Sequence, residues 1–429
     1  MIGITTLIGL FFSFLSLMTR PGFSLGLLIM VLLVWPEYLR IPLGIMQMSA
    51  PRLVAVFLLI KFLINGRQRS MTFGRVDTYI GILWLWIIFA NILAGAEFSE
   101  ITSKIGYGFD TVLMYMVARL AIQEKRDLKD LALPLALTAL LMCVAGVVET
   151  TTSYSPYRGL DSFRPWQWFV KTDEFRLGFL RAKASTSVHI YFGMSMMMIT
   201  GILWSLRSDK RIRTLCKYAA LLAALAALSS MSSGPWLALI ILVVCNAYIF
   251  KPALIKPTLI PFGFLAVFLE LASNRHFYNL IDYLALSSHT AWYRTRLLEV
   301  AANQWHEFWL VGVGGNWPHH WGALLDSRLH IDVVNHFLIV GLYGGFPAMI
   351  LYVAAHLRAL KQIRRCRTQS KDEAQRVIIF GLGATLVALD VSSMSVGLFG
   401  PPLLLSNILL GLLISVSSPW REDAKEIQR

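Results

Sequence analysis

The run SVHIYFGMSMMMITGILWSLRSDKRIR, residues 187–213, decides what kind of protein this is. Residues 187–206 hold no Lys, Arg, Asp or Glu, and a helix of that length crosses about 30 Å of hydrocarbon. Arg207, Lys210, Arg211 and Arg213 follow at once, as expected where a span reaches a membrane surface.

Twelve further apolar runs repeat the pattern: 2–18, 23–35, 53–64, 78–94, 106–122, 131–149, 215–230, 236–250, 258–271, 333–357, 377–394 and 402–416. The first three are the shortest or most ragged, so twelve spans fit as well as thirteen. Run 2–18 has no basic leader and no small-residue cleavage site, and is read as a retained span. The 429 residues are 56% hydrophobic and 15% charged, against roughly 25% charged in soluble domains. Mean hydropathy is +0.61. The expected fold is an all-α integral membrane protein: one transmembrane domain over 1–429, a polytopic bundle of about 12–13 helices.

The net charge of +14 is dispersed between apolar runs, which argues against a nucleic-acid surface. Short Lys/Arg-rich connectors stay in the cytoplasm. Besides the quoted cluster, they contain Arg67, Arg69 and Arg75; Lys125, Arg126 and Lys129; Lys251 and Lys256; and Arg358, Lys361, Arg364, Arg365, Arg367 and Lys371. These occupy every second connector between the expected spans and so all fall on one side, and Arg421, Lys425 and Arg429 put the C-terminus on that side too. Cys143, Cys216, Cys245 and Cys366 are scattered singly, with no disulfide or metal spacing.

The two long connectors, 150–186 and 272–332, are thereby expected on the periplasmic face of a bacterial-type inner membrane. They carry Trp166, Trp168, Trp292, Trp305, Trp309, Trp317 and Trp321, rings that favour the headgroup level. Residues 292–309 repeat at helical spacing and predict a helix lying on the membrane surface. Gly312, Gly314 and Gly315, then Pro318, predict a turn whose backbone can approach a ligand. No Walker pattern accompanies these glycines.

Three stretches together resemble the superfamily of O-antigen ligases and O-antigen or exopolysaccharide polymerases, membrane glycosyltransferases. In LRAKASTSVHIYFG (180–193), Arg181, Ala182, His189 and Gly193 match. TAWYRTRLLEVAANQWHEFWLVGVGGNW (290–317) resembles the family's arginine, amphipathic helix and glycine turn, with Arg294 or nearby Arg296 as the arginine. DVVNHFLIVGLYGG (332–345) matches at Asn335, Leu338, Gly344 and Gly345, but Val334 stands where members carry a histidine, and His336 lies two positions on. In SSMSSGPW (229–236), Ser233 replaces a family arginine.

The resemblance implies a type C glycosyltransferase-like fold and metal-independent, inverting transfer from an undecaprenyl diphosphate-linked glycan. The acceptor would be a saccharide or lipid-linked saccharide, giving polymerisation or, alternatively, ligation to lipid A core. No cofactor is implied, and membrane lipids and polysaccharide assembly proteins are the expected partners. Arginines suit such a donor, because a guanidinium stays charged, grips phosphate oxygens in pairs and stabilises the leaving diphosphate. Arg181 and Arg294 are the expected catalytic arginines. Arg176, Arg296, His189, Asn335, Asp332 and Gly314 are expected to bind substrate. An acceptor hydroxyl needs a proton acceptor. His336 is expected there, with His319, His330 and Asp332 as alternatives. Asp110, Glu149, Glu270 and Asp390 fall at or near membrane depth, where charge is expensive, Glu149 and Glu270 at outer span ends facing water. The rival class is a lipid-glycan flippase or transporter, which would show internal repeats and broken helices.

Overall fold

The computed structural model describes residues 2–43, 46–163, 174–250, 253, 256–257, 260–261, 263–264, 288–325, 331–369 and 372–418. The bundle opens with α1 (Ile2–Met18), α2 (Pro21–Val34), a hairpin of β1 (Arg40–Leu43) and β2 (Met46–Ser49), and α3 (Ala50–Ile64). Then come α4 (Arg75–Leu93), α5 (Phe98–Ala121) and α6 (Lys125–Thr152), a second hairpin of β3 (Phe175–Arg176) and β4 (Phe179–Leu180), and α7 (His189–Leu206), α8 (Arg213–Ser229) and α9 (Ser233–Phe250). The chain closes with α10 (Ser288–Asn303), α11 (His336–Gln369), α12 (Glu373–Ser393) and α13 (Pro401–Val416). Every expected apolar run except 258–271, which lies largely outside the described residues, coincides with one of these helices.

Among the described residues, five helices are long and apolar enough to cross a membrane, within 75–93, 125–152, 189–206, 336–363 and 373–393, with shorter apolar helices beside them. Their outer faces are greasy. On α1, Ile4, Leu7, Phe11, Phe14 and Met18 are all exposed at helical spacing, as are Leu133, Leu137, Leu140, Val144 and Val148 on α6. Stripes of this extent need hydrocarbon against them. Inside, small residues let helices approach closely. A methyl group on Gly26 would collide with Pro134, one on Gly201 with Thr385, and one on Gly381 with Ser205.

Polar contacts divide the bundle into two ends. At one, the basic connectors meet: Arg67 pairs with Asp127 at 2.6 Å, Arg119 with Asp77 at 3.0 Å, Lys125 with Asp372 at 3.0 Å and Lys129 with Asp209 at 3.3 Å. At the other, the hairpin after α6 is tied to α8: Ala182 N donates to Ser229 O at 3.1 Å and Thr150 Oγ1 to the same carbonyl at 3.0 Å. The described parts of both long connectors lie at this second end.

Run 333–357 is not the single straight span the sequence suggests. At Gly344 (φ −156°) and Gly345 (φ +72°) α11 breaks, and the chain doubles back. The rings of His336 and Phe337 lie 5.4 and 5.6 Å from that of Tyr352, distances a continuous helix could not give over so many residues. Val313 N donates to Leu342 O, Asn91 Nδ2 to Tyr343 O and Trp86 Nε1 to Gly344 O, so three successive carbonyls at the break have partners.

Candidate functional site

The second hairpin builds one wall. Leu177 (φ +54°) and Gly178 (φ +82°) form its two-residue turn, the left-handed pair that a tight hairpin requires. It delivers Arg176 and Arg181 to the C-terminal end of α8. Arg176 Nη1 donates to Met231 O at 3.0 Å. Arg181 donates through Nη1 to Glu174 Oε2 at 2.6 Å and through Nη2 to Ser232 Oγ at 3.1 Å, while its backbone N donates to Glu174 O at 2.9 Å. Its Nε is buried with no hydrogen-bond partner.

The loop after the hairpin is held from below by Glu149, which is 1% exposed and accepts from Lys183 N at 3.2 Å and Ala184 N at 2.8 Å. This corrects the expectation that Glu149 faces water: its carboxylate satisfies a loop in which Ala184 adopts φ +46°. His189 opens α7, its Nδ1 3.8 Å from the Glu174 carboxylate.

α10 supplies the opposite wall. Tyr293 fastens it to the segment before α11, donating its hydroxyl to Asp332 O at 2.9 Å and accepting from Asp332 N at 3.1 Å. The next residue, Arg294, is 7% exposed, and its Nε has no hydrogen-bond partner. Arg296, about 200° further round the helix, is directed elsewhere. It donates to Glu299 at 2.9 Å and to Leu324 O at 3.4 Å.

The three guanidiniums Arg176, Arg181 and Arg294 share one electrostatic field. Burial, then the Arg176 charge, pulls the Arg181 pKa down to about 10, with Arg294 adding to the effect and Glu174 opposing it. Burial and Arg176 likewise lower the pKa of Arg294, against a favourable Asp332. Among the described residues, two carboxylates, Glu174 and Asp332, face three guanidiniums, one buried and two half-buried, an excess of positive charge that an anion would relieve.

Other expected site residues have different surroundings. Asn335 caps α11: its Oδ1 accepts from Leu338 N at 3.0 Å and its Nδ2 donates to Met394 O at 2.8 Å. Gly314 (φ +59°) serves close packing against Ala94, and Gly312 (φ +76°) against the Leu342 carbonyl. His336 is fully enclosed. Its Nδ1 accepts from Leu398 N at 3.4 Å, its Nε2 has no partner, and its ring faces Tyr352. Tyr352 in turn lies 4.3 Å from the ring of His356, which is bonded to Asp390 at 2.6 Å. Asp110, also expected at membrane depth, pairs with Arg52 at 2.6 Å. His319 is exposed, and His330 and Glu270 lie outside the described residues.

Glu174, Ser232 and the Met231 carbonyl were not foreseen as parts of this site. The signal for Glu174 is a carboxylate just ahead of Arg176 and Arg181 in the connector. Among the described residues no cluster of His, Cys, Asp and Glu has the form of a metal site. No protein-family model and no curated protein sequence matches the chain.

Proposed function

We propose that this chain is a polyprenyl-diphosphate-dependent glycosyltransferase of the O-antigen ligase and polymerase type, with the end bearing the hairpin and α10 on the periplasmic face of an inner membrane. The observation that carries this reading is the excess, among the described residues, of guanidinium charge at Arg176, Arg181 and Arg294, which are buried or half-buried and come from two separate connectors. Guanidiniums in a partly desolvated site hold a diphosphate in the ground state and bind it more strongly as the glycosidic bond breaks and negative charge builds on the leaving group.

In the proposed reaction an acceptor hydroxyl oxygen bonds to the anomeric carbon as the bond from that carbon to the diphosphate oxygen breaks. The electron pair leaves with the diphosphate, held by Arg181 and Arg294, and the hydroxyl proton passes to a base. Asp332 is the base of this proposal; its exposure and its interaction with Arg294 support that role. His336 could do so only after the segment before α11 opens. Polymerisation of an exopolysaccharide or O-antigen is the first reading and ligation to lipid A core the second, since both use this donor chemistry. The break in α11 is a feature of transporters, but three of its carbonyls accept from Val313, Asn91 and Trp86, which favours a structural role for it over ion coordination.

Purified protein in lipid nanodiscs, given a polyprenyl diphosphate oligosaccharide, tests the proposal. A product ladder means polymerase, a single addition to a lipid core means ligase, and movement of the carrier without a new bond means flippase. Full transfer by a well-expressed Arg294→Ala variant would refute the assignment of the arginines.

A further inference from the structure

A second site lies at the same end of the bundle and includes none of the three arginines. It is a cavity of about 160 Å³ between the start of α5, the glycine turn after α10 and the break in α11, lined by Glu100, Lys104, Gly315, Trp317, Leu342 and Tyr343 among others. Glu100 and Lys104 are one helical turn apart and so share a face of α5. Gly315 (φ +85°) passes so close to Glu100 that a methyl group there would meet the Glu100 side chain at 2.6 Å, which closes one wall. The Trp317 and Tyr343 rings, 6.3 Å apart and tilted at 53°, make another. Trp317 Nε1 is committed to Ile331 O at 3.4 Å, which steadies the indole.

Lys104 is the anomaly. It is 9% exposed and, among the described residues, makes no hydrogen bond and no ion pair; its ammonium rests 3.7 Å from the centroid of the Tyr343 ring. A π face offsets only part of the hydration an ammonium gives up, and its three donors still need acceptors. The cavity is smaller than the ~300–1,000 Å³ pockets that enclose drug-sized ligands, a size suited to one ring-sized group.

We infer that this cavity binds one acidic sugar residue, a hexuronate, of the glycan substrate. Its carboxylate accepts from Lys104, its hydroxyls donate to Glu100, and its apolar ring face lies against Trp317 and Tyr343. This deepens the proposed glycan chemistry by naming a sugar class, and it rests on that reading for the source of the sugar. Binding itself is independent of transfer.

The test uses the full chain in nanodiscs with sodium D-glucuronate as probe and D-glucose at matched ionic strength as control, read by saturation-transfer difference NMR. Expected are a glucuronate signal at least tenfold above that of glucose, its loss in Lys104→Gln and Trp317→Ala, and its retention in Arg294→Met. Lys104→Arg, which keeps the charge, should restore much of the signal and guards against a folding artefact. No glucuronate signal in the native chain, equal signal from glucose, or persistence in Lys104→Gln would each overturn the inference. Loss in Arg294→Met with persistence in Lys104→Gln would assign the anion to the arginines instead. Inactivity of the native chain on lipid-linked glycans, with Lys104-dependent glucuronate binding intact, would remove the transferase reading alone.

Discussion

Replacing Arg294 with methionine should stabilise the protein while abolishing its recognition of diphosphates. The guanidinium is 7% exposed, its Nε lacks a partner, and Arg176 opposes its charge while Asp332 partly compensates it. Replacing a whole buried ion pair with apolar groups of similar volume gains ~1–4 kcal/mol, and removing a single buried charge relieves a comparable desolvation cost only where, as at Arg294, no close counter-charge is left unpaired among the described residues. The favourable Asp332 field places this site at the lower end, about 1–2 kcal/mol. For a chain of 429 residues that is a rise of roughly 1–2 °C in Tm. Tryptophan-fluorescence melting in nanodiscs, with and without inorganic pyrophosphate, reads both effects. The native chain should melt higher with pyrophosphate, by an amount corresponding to about 2.7 kcal/mol at a hundredfold excess over Kd. The variant should melt higher at baseline and respond to pyrophosphate little or not at all. A Tm lowered by several degrees, or an unchanged pyrophosphate response, would show that the guanidinium is a structural strut and not an anion receptor.

Arg296→Ala should be nearly silent in both melting and transfer, because a half-exposed pair with Glu299 contributes only ~0.3–0.5 kcal/mol; loss of transfer would exchange the roles of the two α10 arginines. Glu149→Ala should cost about 1–3 kcal/mol in melting, since it orphans the buried N–H groups of the loop after Arg181, and should weaken pyrophosphate binding severalfold. Glu149→Gln, which keeps an acceptor oxygen, should recover most of both, and failure to do so would point to a role for the charge itself. Pyrophosphate affinity measured across pH should show no loss from Arg181 in the neutral range, and should fall as the pH rises past about 10, where that guanidinium begins to lose its proton and its positive charge. A fall traced to Arg181 near neutrality would contradict the electrostatics described here.

Arg181 and Arg294 were recognisable before the fold was known, because each lies in a motif of fixed local spacing beside an apolar run. Their common field was not, since residues 181 and 294 are brought together by helices whose packing depends on Gly26, Gly201 and Gly381 meeting side chains far away in the chain. The choice between Arg294 and Arg296 could not be read from spacing. It required the Tyr293 clasp on Asp332, which sets the rotation of α10. The burial of Glu149 is not legible in the sequence because the N–H groups that donate to it come from a loop more than thirty residues away.

The sequence by itself determined where the helices run and which connectors are basic, because crossing hydrocarbon requires a minimum apolar length and self-satisfied backbone bonds, conditions that any local stretch meets or fails alone. Tertiary structure alone decided that Arg67 is buried against Asp127, not left at the surface, that α11 folds back at Gly344 and Gly345, and that His336 is enclosed against Tyr352 and the Leu398 N–H. Each of these depends on which distant group supplies a hydrogen bond or a counter-charge, and in a bundle that partner is chosen by packing, not by spacing along the chain.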